Sequence, residues 1–181
     1  MSSAQKIIPH YTYDDYIHWE GKWELIEGHP IAMSPSPVPK HQWVANMLQV
    51  EFTLALRSAC KSCKVYPSLD FKIAEDTVVQ PDILIVCTEI SKNYLDFSPV
   101  LVVEILSPST ALRDRNTKFD IYELQGIKYY LIVDIEKEHF ELYELMDGKY
   151  VIAEHDFDHP FLFSFDQEGC SSVSLTLNNV W

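Results

Sequence analysis

The chain has 181 residues, 47% of them hydrophobic and 13% aromatic, which suits one domain spanning residues 1–181 around a single core and excludes a disordered chain. No apolar run approaches the roughly 20 residues of a membrane-spanning helix, and the opening Met1 to Lys6 lacks the apolar segment of an export signal, so a cytoplasmic protein without membrane partners is expected. The net charge of −13 argues against a broad basic face for duplex nucleic acid, yet 11 acidic and only 2 basic residues fall within 131–181, while Arg113, Arg115 and Lys118 make a locally basic stretch.

Thr12 followed by Tyr13, Asp14 and Asp15 predicts a helix start with acids in the first turn, running to about Trp19. Trp23–Ile26, Glu27-Gly28 and Pro30–Met33 read as strand, turn and strand. Ser34-Pro35-Ser36-Pro37-Val38-Pro39 is a helix-breaking loop. From about His41 to Ala59, Val44, Met47, Leu48, Phe52, Ala55 and Leu56 recur at helical spacing, with His41 as a cap or packing residue. The two cysteines of Cys60-Lys61-Ser62-Cys63 sit where this helix ends, whereas a redox pair opens a helix, and Cys87 and Cys170 are isolated, so four ordinary reduced cysteines are expected.

Strands follow at about 64–74, 80–87 and 100–106, then Ser107-Pro108-Ser109-Thr110 turns into a helix that Gly126 ends. Tyr129–Asp134 is a buried strand, and Phe140–Leu145 with Tyr150–Ala153 form a hairpin across Asp147-Gly148. His155, Asp156, Asp158 and His159 resemble metal ligands, but Pro160 makes the segment an exposed acidic loop. The whole pattern predicts an α/β (α+β) fold, a mixed central β-sheet flanked by helices.

The functional signal is two carboxylates inside apolar strands. Asp82 opens Pro81-Asp82-Ile83-Leu84-Ile85-Val86, and Glu104 interrupts Val100-Leu101-Val102-Val103-Glu104-Ile105-Leu106. Such runs are buried on both faces, where a charge costs several kcal/mol or more unless it is paired, hydrogen-bonded or metal-bound. Strand alternation puts Glu104 on the face of Val102 and Leu106, opposite Val103 and Ile105. In the following helix Asp114, Lys118 and Tyr122 share a stripe at i, i+4 and i+8, which is either a surface ion pair or a lysine aimed at the strand ends. Two hard-oxygen carboxylates on neighbouring strands with a lysine nearby fit a Mg²⁺ site for phosphodiester hydrolysis. A two-carboxylate glycosidase fits less well, because its acids line an open sugar cleft.

Glu24-Leu25-Ile26-Glu27-Gly28, Met33-Ser34-Pro35, His41, Pro81-Asp82, the run Leu101 to Thr110, Asp114 with Lys118 and Tyr122, and Gly126 to Asp134 together resemble the Uma-type restriction endonucleases, in order, from about residue 12 to 155. That family belongs to the PD-(D/E)XK nuclease superfamily. The resemblance implies a restriction-endonuclease-like core, a homodimer, a nucleic-acid partner (DNA first) and Mg²⁺ or Mn²⁺ as cofactor. By position it implies Asp82 and Glu104 as metal-binding carboxylates, the Ile105 carbonyl as a backbone ligand, Glu24 as a further member of the site, and Lys118 as the relocated lysine of this branch. The usual lysine two residues after the glutamate is Leu106 here, which leaves open a catalytically inactive, dimeric binding module on the same fold. Asp82 also has a plainer reading as an acceptor at a strand start, and Glu24 as an outward strand residue.

Overall fold

Runs of β-branched and aromatic residues dictate the centre of the molecule. The computed structural model describes residues 8–33, 38–108, 110–166 and 170–181; the expectations for Met1 to Lys6, Ser34 to Pro37 and Ser109 lie outside them. The strands β6 (Ile83–Val86), β7 (Leu101–Ile105) and β8 (Tyr129–Asp134) are buried almost throughout. They occupy the middle of a six-stranded sheet in the order β10-β9-β8-β7-β6-β3, with β3 (Lys64–Pro67), β9 (His139–Met146) and β10 (Lys149–Ile152) outside them. Only β7 and β8 pair in parallel in this sheet, with Glu104 opposite Ile132. A parallel pair needs a crossover. It is supplied by the helical stretch α3 (Ala111–Arg113), a π-helical turn (Asp114–Lys118) and α4 (Phe119–Leu124).

Each face of this sheet has its own core. Leu101, Val103 and Ile105 pack against Val44, Leu48, Phe52 and Leu56 of α2 (Pro39–Ala59) and against the short hairpin β11 (Phe161–Phe163) and β12 (Val173–Leu175). Val102 and Leu106 face the other way, towards Tyr122 and a four-stranded sheet in the order β2-β1-β5-β4. That sheet comprises β1 (Trp23–Ile26), β2 (His29–Ala32), β4 (Phe71–Ala74) and β5 (Thr77–Val79), with the single turn α1 (Tyr13–Tyr16) beside it. Glu104 therefore points into the layer between the two sheets, as alternation requires.

Several local expectations shift. The long helix begins at Pro39 instead of His41, because proline suits the first helical turn, where its missing N–H has no partner to lose. The apolar stretch 64–74 divides at Ser68 to Asp70 and serves two sheets. The three-residue strands β5, β11 and β12 are too short for periodicity to reveal. The β9–β10 hairpin turns at Asp147 and Gly148 with φ of 51° and 78°, the two positive values that a tight right-twisted hairpin requires.

The cysteine expectation is corrected. Cys60 is joined to Cys170 and Cys63 to Cys87, across sequence separations of 110 and 24 residues, and no described cysteine is free. Packing α2 on the sheet carries its C-terminal end to the end of β6 and to the segment before β12, which spacing alone could not show.

Phe52 is fully buried on α2, with its ring 5.5 Å from that of Phe163 on β11. Phe52→Ala is expected to cost about 3–5 kcal/mol in urea denaturation. A loss below about 1 kcal/mol would mean that α2 and the C-terminal hairpin do not share one core.

Candidate active site

The register that pairs Ile83 with Val103 and Leu84 with Val102 sets Asp82, one residue before β6, across from Glu104. Asp82 Oδ2 accepts the Ile105 N–H at 2.8 Å and lies 3.4 Å from His41 Nε2. Its side chain keeps 23% of its surface, whereas that of Glu104 keeps 4%. One acid thus sits at the mouth of the site and the other on its floor.

Lys118 ends the π-helical turn and is 1% exposed. Its Nζ lies 2.7 Å from Glu104 Oε1, 2.7 Å from Glu24 Oε1 on β1, and 3.8 Å from Asp114 Oδ1. Tyr122 Oη donates to Glu104 Oε1 at 2.6 Å, and the Gln80 N–H donates to Glu24 Oε1 at 3.0 Å. Arg113 Nη2 stands 3.3 Å from Glu24 Oε2. Asp114, Lys118 and Tyr122 are all buried, so their stripe faces the carboxylates and the surface-pair reading falls away. Glu24 is fully buried as well, so it is not an outward strand residue.

Negative charge exceeds positive in this cluster. Burial lifts the Glu104 carboxyl well above its usual range; Lys118 opposes that, and Asp114, Asp82 and Glu24 reinforce it. Asp114 is raised for the same first reason, burial, against the pull of Lys118. Burial holds Lys118 back, but the charges of Glu104, Glu24 and Asp114 outweigh it, so it stays an ammonium. Four carboxylates (Glu24, Asp82, Glu104, Asp114) face two permanent cations (Lys118, Arg113), and Glu24 Oε2 and Asp114 Oδ1 are buried without a hydrogen bond. A hard divalent cation would bring the sum to neutrality, and the donors are the oxygen type such ions take. The residues present therefore fit Mg²⁺ or Mn²⁺.

Above the cluster a cleft of about 810 Å³ opens over Asp82 and His41, bordered by Lys22, Trp23, Asn46 and Gln49. The structure brings Glu24, Asp82, Glu104 and Lys118 together with the Ile105 backbone, whose N–H is committed to Asp82. His41 and Arg113 are the members that sequence reading left out. Their partners Asp82 and Glu24 lie far away in the chain, and no local spacing ties them.

Residues 12–169 match the Uma2 family, described as "Putative restriction endonuclease". The chain belongs to the Uma2 family. A Synechocystis relative, the uncharacterized protein slr1290, is 28% identical over 82% of each chain. A solved structure from Anabaena variabilis, described as "a putative nuclease belonging to DUF820", superposes with a TM-score of 0.73 over 93% of this chain and 96% of that one. At 18% identity that likeness speaks for the fold, and the nuclease-like α/β core expected from sequence is the one found. Within this Uma2 chain the family match contains every residue of the carboxylate cluster.

Two outcomes follow for the unliganded protein. Lys118→Met leaves Glu24 and Glu104 buried against each other, so a loss of about 3–5 kcal/mol is expected in chemical denaturation, and Lys118→Met with Glu104→Gln should recover part of it. A loss under about 1 kcal/mol would show that the ammonium does not hold the two sheets' carboxylates. For His41, burial disfavours the imidazolium, but the hydrogen bond and charge of Asp82, the Ile105 backbone and Asp114 prevail, raising its pKa above 6.5. Its contribution to stability is then complete below the unfolded value and disappears as pH climbs through the higher folded value. NMR titration should place His41 above 6.5, and His41→Asn should flatten the stability profile just above that pH; titration at or below 6.5 contradicts the pairing.

Proposed function

We propose that this chain is a Mg²⁺-dependent endonuclease, with Mn²⁺ able to substitute, that hydrolyses phosphodiester bonds in nucleic acid. DNA is the first-choice substrate, and the protein acts as a homodimer in the cytoplasm. The observation that carries the reading is the buried carboxylate cluster, net negative and closed by Lys118, which reaches an open cleft through Asp82. Family membership supports the nuclease class.

Asp82 and Glu104 would hold the metal, with the Ile105 carbonyl as the backbone ligand that the resemblance implies. The chemistry Mg²⁺ supplies when bound is polarisation of the phosphoryl oxygen and a lowered pKa of coordinated water. Lys118 fixes Glu104 and Glu24 and adds positive charge beneath the phosphate, where the low dielectric strengthens its effect. Tyr122 locks the Glu104 carboxylate in one orientation. His41 borders the cleft beside Asp82 and can hold a proton there, its raised pKa keeping part of it charged near neutrality. Trp23 offers an indole face, and Lys22, Asn46 and Gln49 offer donors, to a backbone lying in the cleft.

The exposed apolar residues Trp43, Val50 and Leu54 recur at helical spacing on the outer side of α2 and support the homodimer. Among the described residues no helix is long and apolar enough to cross a membrane. The binding-module reading keeps one specific support: Leu106, standing where the usual lysine would be, is packed in the core, and Lys118 is already engaged by two glutamates.

Plasmid nicking and RNA cleavage with Mg²⁺, Mn²⁺ and chelator test the proposal on wild type, Asp82→Asn and Glu104→Gln. Metal-dependent cleavage that falls at least about 100-fold in both variants is expected. Cleavage unchanged in the variants removes the site, and metal-independent binding with no cleavage of DNA or RNA selects the binding module. Sedimentation of the same preparation as a monomer throughout removes the dimer.

A further inference from the structure

All four cysteines of the chain meet at one point, at the other end of β6 from Asp82. Cys60 caps the C-terminus of α2, Cys63 follows on the turn, Cys87 follows β6 directly, and Cys170 precedes β12. The Cys60–Cys170 and Cys63–Cys87 pairs are not separate staples. Cys60 Sγ lies 3.0 Å from Cys63 Sγ, and the sulfurs of Cys60, Cys63 and Cys170 all lie within 4.8 Å of one another. The two residues between Cys60 and Cys63 give the C-x₂-C spacing of a zinc knuckle, and the fold delivers the third and fourth sulfurs that sequence leaves isolated. We propose that Cys60, Cys63, Cys87 and Cys170, as thiolates, form a tetrahedral Zn²⁺ site that fastens the C-terminal hairpin to the end of α2.

The surroundings fit a metal better than a redox catalyst. A catalytic C-x-x-C draws its reactive thiolate from the positive end of a helix. Cys60 sits at the negative end instead, where a free thiolate is disfavoured, so the pair lacks the activation a redox catalyst uses. Four thiolates on Zn²⁺ carry a net charge of about −2. Arg57, Lys61 and Lys64 line the groove beside Cys60 and Cys63, a basic cluster in a chain whose net charge is −13. The Ser62 hydroxyl is 3.3 Å from Cys60 Sγ and 3.4 Å from Cys170 Sγ, placed to donate its one proton to either sulfur. Zn–S bonds of about 2.3 Å space tetrahedral sulfurs about 3.8 Å apart; the sulfurs of Cys60, Cys63 and Cys170 already lie within 4.8 Å of one another, and Cys87 is joined to Cys63.

The oxidised and zinc-bound forms are alternatives. Reducing both disulfides takes four electrons from a phosphine, which leaves as its oxide with oxygen from water, and four protons from that water; Zn²⁺ then displaces those protons from the thiols to solvent. Asp82 and Cys87 are separated by about 16 Å of strand, at ~3.3 Å per residue, so the hard-oxygen and soft-sulfur sites are distinct.

The full chain, reduced with a phosphine under anaerobic conditions, should retain one Zn²⁺ per chain after dialysis, read by elemental analysis. Co²⁺ in its place should give an intense sulfur-to-cobalt charge-transfer band with the visible spectrum of a tetrahedral site. Cys87→Ser and Cys170→Ser should each weaken Zn²⁺ binding at least about 100-fold. No retained zinc, a cobalt spectrum without the thiolate band, or affinity unchanged in both variants overturns the proposal. Should either variant fail to fold, the wild-type cobalt spectrum decides alone.

Discussion

The Lys118 ammonium, buried between Glu24 of the small sheet and Glu104 of the central sheet, is the interaction on which the arrangement of the site depends. Each carboxylate alone would be an expensive charge in an apolar layer. With the lysine between them they become a tie between two sheets that otherwise meet through apolar side chains such as Ile26, Val102 and Leu84. A buried pair of this kind adds little net stability over a well-packed apolar substitute. What it adds is definition, because the two sheets can approach in one way that satisfies the ammonium.

Around this tie the chain adds acids until they outnumber the bases. Asp114 comes from the same turn as Lys118, and Asp82 from the strand beside Glu104. Burial is the first cause of the raised pKa values of Glu104 and Asp114; Lys118 opposes it in both, and the neighbouring carboxylates add to it. A fold selected only for stability has no use for such crowding, and residues with strongly shifted proton affinity gather at functional sites. The cleft lies over the one acid of the cluster that keeps solvent access, with Asp82 at the entrance and Glu104 buried beneath.

Much of this was legible in the sequence, for physical reasons that differ by residue. Glu104 announces itself because a charge in a run of Val, Leu and Ile has no cheap alternative. Lys118 is visible through its spacing from Asp114 and Tyr122, although spacing could not tell a surface pair from a buried one. Glu24 was recognisable only through the family signature, since a Trp-Glu-Leu strand reads as easily with the acid outward. His41 falls within the family signature yet reads as a cap or packing residue, and Arg113 only as part of a basic stretch, because their partners arrive from other elements. The same limit applies to the cysteines, where Cys87 and Cys170 look solitary until α2 is laid on the sheet.

The π-helical turn at Asp114–Lys118 has a consequence for how this chain can vary. Such a turn holds one residue more than an ordinary helical loop of the same rise. Deleting a residue there would regularise the backbone, yet it would swing everything on one side of the deletion by roughly 100° about the helix axis relative to the other. Either Asp114 or the Lys118–Tyr122 couple would then leave the interior. The interior cation thus depends on the local irregularity, and a length change in the crossover would spare both only in its two flanking loops.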